Sequence, residues 1–425
     1  MVLVTTLAAL VSSLVAASPG MDASVGGDQP VVVAVLGERG VNVLHDEFAR
    51  TDPVLRLEGA TGVALPALGP FEQRLKELRI GPLGAMVPGV LYAPLGTNIA
   101  GIIVPSGSIR ARGETYDLTE EMLHGTGVGS AVAGRTVGTN PSATLIFVLG
   151  SDEVAWQWAA DQPWIDVVTT SVDSFSGPPA EASCSQREAI NQLVSTGRTV
   201  FAAAGNSASS TSLIIPPAHF PEVYQVGGTD EAGQPWMPTT SDPLRAPLTR
   251  PYETGDAYRR ALAIDTDGHA LAEIEGTSFA APSTAGRASR LVQVARSLLG
   301  SGRTAAAVVA GRARLVPTGP LADGSLSVQD LSDTLHRAAV PAFPLSDGLS
   351  SFAIEGYGTL DAPSVHGAAT DHLLGHEALP ERPSADRDRA MIDQAKEASY
   401  APRCTSQRAA LAPSESSSVP GVVEP

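Results

Sequence analysis

Short apolar runs rich in Val, Ile and Phe recur along the chain and alternate with segments of helical spacing. The runs predict buried strands at Val31–Leu36, Thr144–Leu149, Asp166–Val172, Thr199–Ala204 and Val223–Val226. Apolar positions three and four residues apart predict helices at Glu153–Asp161, Glu188–Val194 and Ser327–Ala339. Fully apolar strands that alternate with helices are typical of a parallel sheet covered on both faces. We therefore predict an α/β fold in three layers, αβα, around a mostly parallel central sheet.

Four segments depart from this alternation. Residues 51–117 are rich in Gly and Pro, and residues 300–324 separate two helical segments, so we expect insertions in both places. Residues 376–425 are polar and end in a Ser-rich stretch with prolines, which predicts a largely disordered tail. Residues 1–18 are apolar and uncharged, which predicts a signal peptide or apolar leader, although the usual basic start is missing and the true start can lie upstream. The folded domain is expected at residues 31–370, in a secreted or cell-envelope protein.

Composition narrows the possible partners. The chain has 28 basic and 45 acidic residues, a formal charge of −17, which disfavours nucleic-acid binding because such proteins cluster Lys and Arg. Beyond residues 1–18 no stretch is apolar enough to span a bilayer, so we expect no stable membrane insertion, and we expect a monomer. Cys184 and Cys404 are too few for a disulfide scaffold or metal cluster, and they either pair with each other or are unrelated thiols. We predict no cofactor and no metal site, because no Asp/Asn-rich loop has calcium-ligand spacing.

Three motifs carry candidate chemistry. Gly276–Pro282 (GTSFAAP) leads into a helical run that continues to about Leu299, so Ser278 is expected at a helix N-terminus, where free N–H groups favour a developing negative charge. His124–Gly134 places a histidine before a helix of small residues, which can pack closely against another backbone. Val200–Asn206 is a strand that ends in an amide able to donate to an oxyanion. Nucleophile, base and oxyanion donor are all present.

In these motifs the chain resembles the subtilisin-like serine proteases, the subtilases. The resemblance covers roughly Val31 to Val365 and includes two lesser motifs, Asp166–Ser171 and Gly356–Ala362, in the family's order. It implies a sheet of the subtilisin type and a polypeptide substrate. It also implies that Ser278 attacks the peptide carbonyl, that His124 acts as its base, and that Asn206 with the Ser278 N–H stabilises the oxyanion.

The sequence departs from the family at the acid that orients the histidine, which in the family is an aspartate just after the first strand. Alignment from the first strand puts Gly37 at that position, whereas alignment from Gly40 puts Glu38 there with one inserted residue. We favour Glu38, because a glycine-permitted kink at Gly37 makes room for a side chain that is one methylene longer. Asp46 and Asp52 are weaker candidates. If the position is Gly37, the protein is a weakened protease or an inactive subtilase that binds peptides or a partner.

The resemblance also suggests a substrate pocket, lined by Ser171, Val172, Asp173, Ala203, Ala204 and Gly205. Asp173 adds a carboxylate where the family usually has a small residue. We hypothesise that this pocket tolerates basic side chains, with a solvent-facing Asp173 as the alternative.

Overall fold

The computed structural model describes residues 30–50, 57, 61–63, 87–108, 118–171, 184–206, 217–230, 236, 253–256, 258–263, 271–299, 320–341, 356–360, 364–391, 393–394 and 397–398. The strands in these ranges are β1 (Val32–Leu36), β2 (Thr61–Val63), β3 (Tyr92–Pro94), β4 (Ile99–Ile103), β5 (Thr144–Val148), β6 (Val167–Thr170), β7 (Thr199–Ala203), β8 (Tyr224–Thr229), β9 (Glu253–Asp256), β10 (Tyr258–Ala263) and β11 (Leu271–Glu275). The helices are α1 (Leu118–Ala133), α2 (Glu153–Asp161), α3 (Cys184–Ser195), α4 (Thr277–Leu299), α5 (Val328–Ala338) and α6 (Val365–Leu373). A 3-10 helix spans Asp46–Phe48.

Nine strands form one sheet in the order β2-β3-β4-β5-β1-β6-β7-β8-β9, and β10 pairs with β11 in a separate hairpin. All neighbours in the large sheet are parallel except β3 and β4. The predicted three-layer α/β fold with a mostly parallel sheet is therefore confirmed.

Alternation along the strands sends side chains into two cores, one on each face of the sheet. In β1, Val33 and Val35 pack in the core that also receives α1, α4, α5 and α6. Val32, Ala34 and Leu36 of the same strand pack in the core that receives α2 and α3. Both sets are fully or almost fully buried, which explains why this strand is apolar at every position.

The topology brings the predicted site residues to one edge of the sheet. Strand β1 lies between β5 and β6, and β7 is parallel to β6 on its other side. The carboxyl ends of β1, β6 and β7 therefore lie side by side, and the residues that follow them are Gly37, Ser171 and Ala204. The chain order changes direction across β1, and such a switch point opens a crevice at the carboxyl edge of an α/β sheet.

Several elements differ from the sequence prediction. Helix α1 begins at Leu118, so His124 lies inside the helix and not before it, and α3 begins at Cys184, earlier than predicted. The predicted insertion at 51–117 supplies β2, β3 and β4 to the large sheet. Strand β4 is buried throughout. It was not predicted from the sequence, because the Gly and Pro residues on both sides of it are typical of loops. Most of 300–324 lies outside the described residues. None of the helices in the described ranges has the length and apolar content required to cross a bilayer.

The described part of the predicted tail, within 376–398, is folded against the domain, and the expectation of disorder is wrong there. Residues 383–391 are helical. Arg382 donates to the Ala339 and Tyr357 carbonyls, and Tyr357 Oη donates to Asp386 at 2.8 Å. Two backbone carbonyls and the Tyr357 hydroxyl thus find hydrogen-bond partners in a segment that is itself too polar to predict as ordered. Residues 399–425 lie outside the described residues.

A second contact ties this segment to the opposite layer. Arg187 of α3 pairs with Glu222, which precedes β8, and with Glu397 of the C-terminal segment. Cys184, at the start of the same helix, is disulfide-bonded. Cys404, the other cysteine of the chain, lies outside the described residues.

Candidate active site

Glu38 and His124 form the centre of the site. Glu38 follows β1 after one residue and is 1% exposed, and its Oε2 lies 2.8 Å from His124 Nδ1. Because a carboxylate can only accept a hydrogen bond, Nδ1 carries the proton and donates it to Glu38. Nε2 of His124 is thereby left with its lone pair available. Of the two alternatives for the acid position, the structure places Glu38 against the histidine.

The environment favours the charged form of His124. Burial by itself lowers the pKa of His124, but the charge of Glu38 and the hydrogen bond to it together outweigh burial, so the pKa lies above its ordinary value of 6.5. The side chain of His124 is 34% exposed whereas that of Glu38 is 2% exposed. The imidazole therefore has one edge toward solvent and the other against a buried carboxylate.

The loop that carries Glu38 is attached at both ends. Gly37 adopts φ 97°, a conformation that L side chains rarely adopt, and its N–H donates to the Val148 carbonyl of β5 at 3.0 Å. Farther along, the N–H of Asn42 donates to the hydroxyl of buried Thr126 at 2.8 Å, two residues after His124 on α1. The loop is thus hydrogen-bonded to β5 before Glu38 and to α1 after it.

Close packing of α1 on this loop depends on Gly125. A Cβ at that position would lie 2.0 Å from the Gly40 carbonyl oxygen and 3.3 Å from Glu38 Cβ. Since real Cβ atoms do not approach backbone oxygens so closely, only glycine allows His124 to reach Glu38 here. This steric limit explains why glycine directly follows the histidine in the sequence motif.

Ser278 lies at the start of α4 and is half-buried. Its hydroxyl donates to the Ser171 carbonyl at 3.3 Å, and the Ser171 hydroxyl donates to the Ser278 carbonyl at 2.6 Å. The ring of Phe279, the next residue, lies 5.6 Å from the ring of His124 between centroids. The start of α4 is thereby positioned between the end of β6 and the histidine.

Asn206 follows β7, is exposed, and is oriented by Thr277. The Asn206 Oδ1 accepts from the Thr277 N–H at 2.9 Å and from its hydroxyl at 2.8 Å. The Thr277 hydroxyl in turn accepts from the Gly205 N–H at 3.0 Å. With its oxygen engaged by Thr277, the hydrogen-bond donor of the Asn206 side chain is its NH₂ group. The sequence prediction did not include Thr277 among the site residues. Its position directly before Ser278 in the GTS motif was the one signal that could have indicated its role.

The remaining predicted residues are only partly described. Ala204 is buried, and Ala203 and Gly205 are half-buried at the end of β7, beside Asn206. Val172 and Asp173 lie outside the described residues, as does Asp52. Asp46 lies in the 3-10 helix, and it is Glu38 that bonds to His124.

Metal binding has no support in the described part of the chain. Within those ranges no group of three or more His, Cys, Asp and Glu side chains is arranged to hold an ion.

Comparison with known proteins gives a family for the chain. The model of the Subtilase family, Peptidase_S8, matches residues 96–324, just over half of the chain. The match contains His124, Asn206 and Ser278, whereas Glu38 lies before it, in the region where the motif departs from the family. Subtilisin E from Bacillus subtilis (strain 168) is 27% identical over 229 residues, and the match covers 46% of this chain and 56% of that protein. Subtilisin from Bacillus pumilus has the same identity, with 78% of that protein covered. The chain thus spans only about half the length of subtilisin E.

Solved structures show the same fold at low identity. The protease domain of PatA, solved as a mutant, has a TM-score of 0.50 at 17% identity, covering 84% of this chain and 99% of that one. The PatG macrocyclase domain has a TM-score of 0.50 at 14% identity, covering 82% and 92%. Because the family model matches more than half of its length, this chain belongs to the subtilase family of serine proteases.

Proposed function

We propose that this chain is a serine endopeptidase that cleaves peptide bonds through an acyl-enzyme on Ser278. The observation that carries the proposal is the 2.8 Å contact between Glu38 Oε2 and His124 Nδ1. A buried glutamate that receives the Nδ1 proton can do the work of the family's aspartate, since that work is to select the tautomer and stabilise imidazolium.

In the proposed reaction Ser278 Oγ attacks the peptide carbonyl while His124 Nε2 takes its proton. The positive charge that forms on the imidazole is stabilised by Glu38. The oxyanion is stabilised by the NH₂ group of Asn206, which Thr277 orients, and by the Ser278 N–H at the N-terminus of α4. His124 then returns the proton to the leaving amine, and water releases the acyl group by the same steps in reverse.

Nucleophile reactivity tests this proposal directly. A fluorophosphonate probe should label wild-type protein at Ser278, should fail to label Ser278→Ala, and should label Glu38→Ala slowly. Circular dichroism on each variant controls for folding. If folded wild-type protein labels no faster than Ser278→Ala, the chain is not an active serine protease.

A second candidate is a weakened or silent subtilase domain that binds peptides or a partner. One observation favours it: the Ser278 hydroxyl donates to the Ser171 carbonyl, and the described residues show no hydrogen bond from it to His124. Hydrogen bonds between nucleophile and base are often long in the absence of substrate, so endopeptidase remains our preferred proposal. A silent protein would bind a peptide without cleaving it. Measurement of equilibrium binding and of cleavage products on the same sample would distinguish it from an active endopeptidase.

The substrate and the location of the protein are parts of the same proposal. We propose a polypeptide substrate bound along Ser171 to Asp173 and Ala203 to Gly205, in a pocket where Asp173 allows basic side chains. We also propose that the protein is exported from the cytoplasm. An Asp173→Ala variant that cleaves Arg-containing and neutral peptides in the wild-type ratio would contradict the proposed role of Asp173.

Detection of the mature protein only in the cytoplasmic fraction would contradict the proposed export.

A further inference from the structure

Helix α4 contains a proline in its second turn, and that proline affects the nucleophile. Pro282 lies four residues after Ser278. In an α-helix the N–H of residue i+4 donates to the carbonyl of residue i, and proline has no N–H. The Ser278 carbonyl therefore lacks its helical donor, although Ser278 is only partly exposed.

The missing donor is supplied from a different element. The hydroxyl of Ser171, directly after β6, donates to the Ser278 carbonyl at 2.6 Å. Ser171 is 8% exposed, so this bond is sheltered from water. The two residues are 107 positions apart in the chain, which makes the bond a tertiary link between the sheet and the start of α4.

The same pair is joined a second time in the opposite direction. The Ser278 hydroxyl donates to the Ser171 carbonyl at 3.3 Å. Ser171 thus contacts Ser278 through its hydroxyl and through its carbonyl. Displacement of the Ser171 hydroxyl would leave the Ser278 carbonyl unpaired and shift the backbone of the nucleophile. An error of about 1 Å in the position of a reacting atom can reduce a rate by about 10²-fold.

We propose that Ser171 is a positioning residue that fixes the backbone of Ser278 by replacing the hydrogen bond that Pro282 removes from α4. This inference rests on the proposed function, and it assigns to Ser171 a role distinct from lining a substrate pocket. A pocket residue affects the binding of the peptide. A positioning residue affects the reactivity of Ser278 even toward a reagent too small to occupy the pocket.

The test is a double-mutant cycle on Ser171→Ala and Pro282→Ala. In the wild-type background, Ser171→Ala should lower kcat and the rate constant of fluorophosphonate labelling by about 10- to 100-fold, with KM within about threefold. Pro282→Ala restores an N–H to α4, so in that background Ser171→Ala should cost less than about threefold. Ser171→Thr keeps the hydroxyl and should retain most of the labelling rate.

Two results would overturn the inference. One is an equal cost of Ser171→Ala in both backgrounds, and the other is a raised KM with unchanged labelling. If wild-type protein neither cleaves nor labels, the proposed function fails, and thermal unfolding then tests the hydrogen bond itself. Ser171→Ala should lower the melting temperature in the wild-type background and have a smaller effect in Pro282→Ala, whereas equal effects would refute the link.

Discussion

Replacing Glu38 by aspartate, the residue that the family normally uses, should impair this protein. The change shortens the side chain by one carbon–carbon bond, roughly 1.5 Å. The 2.8 Å contact between Glu38 Oε2 and His124 Nδ1 would lengthen to about 4.3 Å, beyond hydrogen-bond range. Gly37 and the Asn42–Thr126 bond hold the loop on both sides, so the backbone is not free to close the gap.

Electrostatics sets the lower bound of the effect. At an effective dielectric constant of about 20, two unit charges attract by about 6 kcal/mol at the present distance and about 4 kcal/mol at the longer one. The loss of about 2 kcal/mol in stabilising imidazolium corresponds to about 30-fold in rate. Loss of the hydrogen bond that orients the His124 ring reduces the rate further. The upper limit of the total loss is the roughly 3 × 10⁴-fold decrease in rate that removal of the triad acid causes in subtilisin. Glu38→Asp should therefore fall between these values.

The assay is kcat on a peptide substrate together with NMR titration of the His124 ring. Since Glu38 raises the pKa of His124, the wild-type rate should rise with pH through a limb above 6.5, and this limb should move to lower pH in Glu38→Asp and in the uncharged Glu38→Gln. Glu222→Asp, which shortens a carboxylate at the opposite edge of the sheet, serves as the control and should leave kcat unchanged. A Glu38→Asp variant within threefold of wild type, with the limb unmoved, would refute the reasoning.

Three further changes test the fold around the site. Gly125→Ala should prevent His124 from approaching Glu38 and reduce kcat by more than about 10²-fold, while circular dichroism stays native; retained activity would show that α1 can shift. Asp166→Asn should cost about 3–5 kcal/mol in urea unfolding, because it leaves Arg296 of α4 buried without its carboxylate partner, and a loss below 1 kcal/mol would contradict this. Burial, with the charges of two nearby arginines, holds the pKa of His336 well below 6.5, so its contribution to stability should be complete above about pH 6.5 and lost as the pH falls through the folded value. His336→Phe should therefore flatten the decline in melting temperature between pH 7 and 5, and an unchanged slope would exclude His336 as its source.

Local pattern explains what could be predicted of the fold. The apolar run of β1 and the spacing of α2 are properties of neighbouring residues, and both elements occur where the sequence places them. Helix α5 also matches, because Ser327 forms a capping box with Asp330 that defines its first turn. Strand β4 and the helical segment at 383–391 were missed, because both depend on partners far away in the sequence.

The site residues that could be predicted are those that lie in short sequence motifs. Ser278, His124 and Asn206 each lie in such a motif. In the structure Ser278 lies at the start of α4, Asn206 follows β7, and His124 lies within α1. The role of Thr277 was not predictable in this way, since its partners Gly205 and Asn206 are more than 70 residues distant.

The amino-acid sequence was sufficient to predict the α/β class, the family and three of the groups in the candidate site. Three features depend on the tertiary structure: the contact of Glu38 with His124, the Ser171 hydrogen bond to the carbonyl that Pro282 leaves open, and the packing of Arg382 and Asp386 on the domain. The reason is the range of the interactions. Periodicity and motifs record what a residue does with its neighbours, whereas a hydrogen bond between residues 86 or 107 positions apart depends on where packing places two backbones, to within a fraction of an ångström.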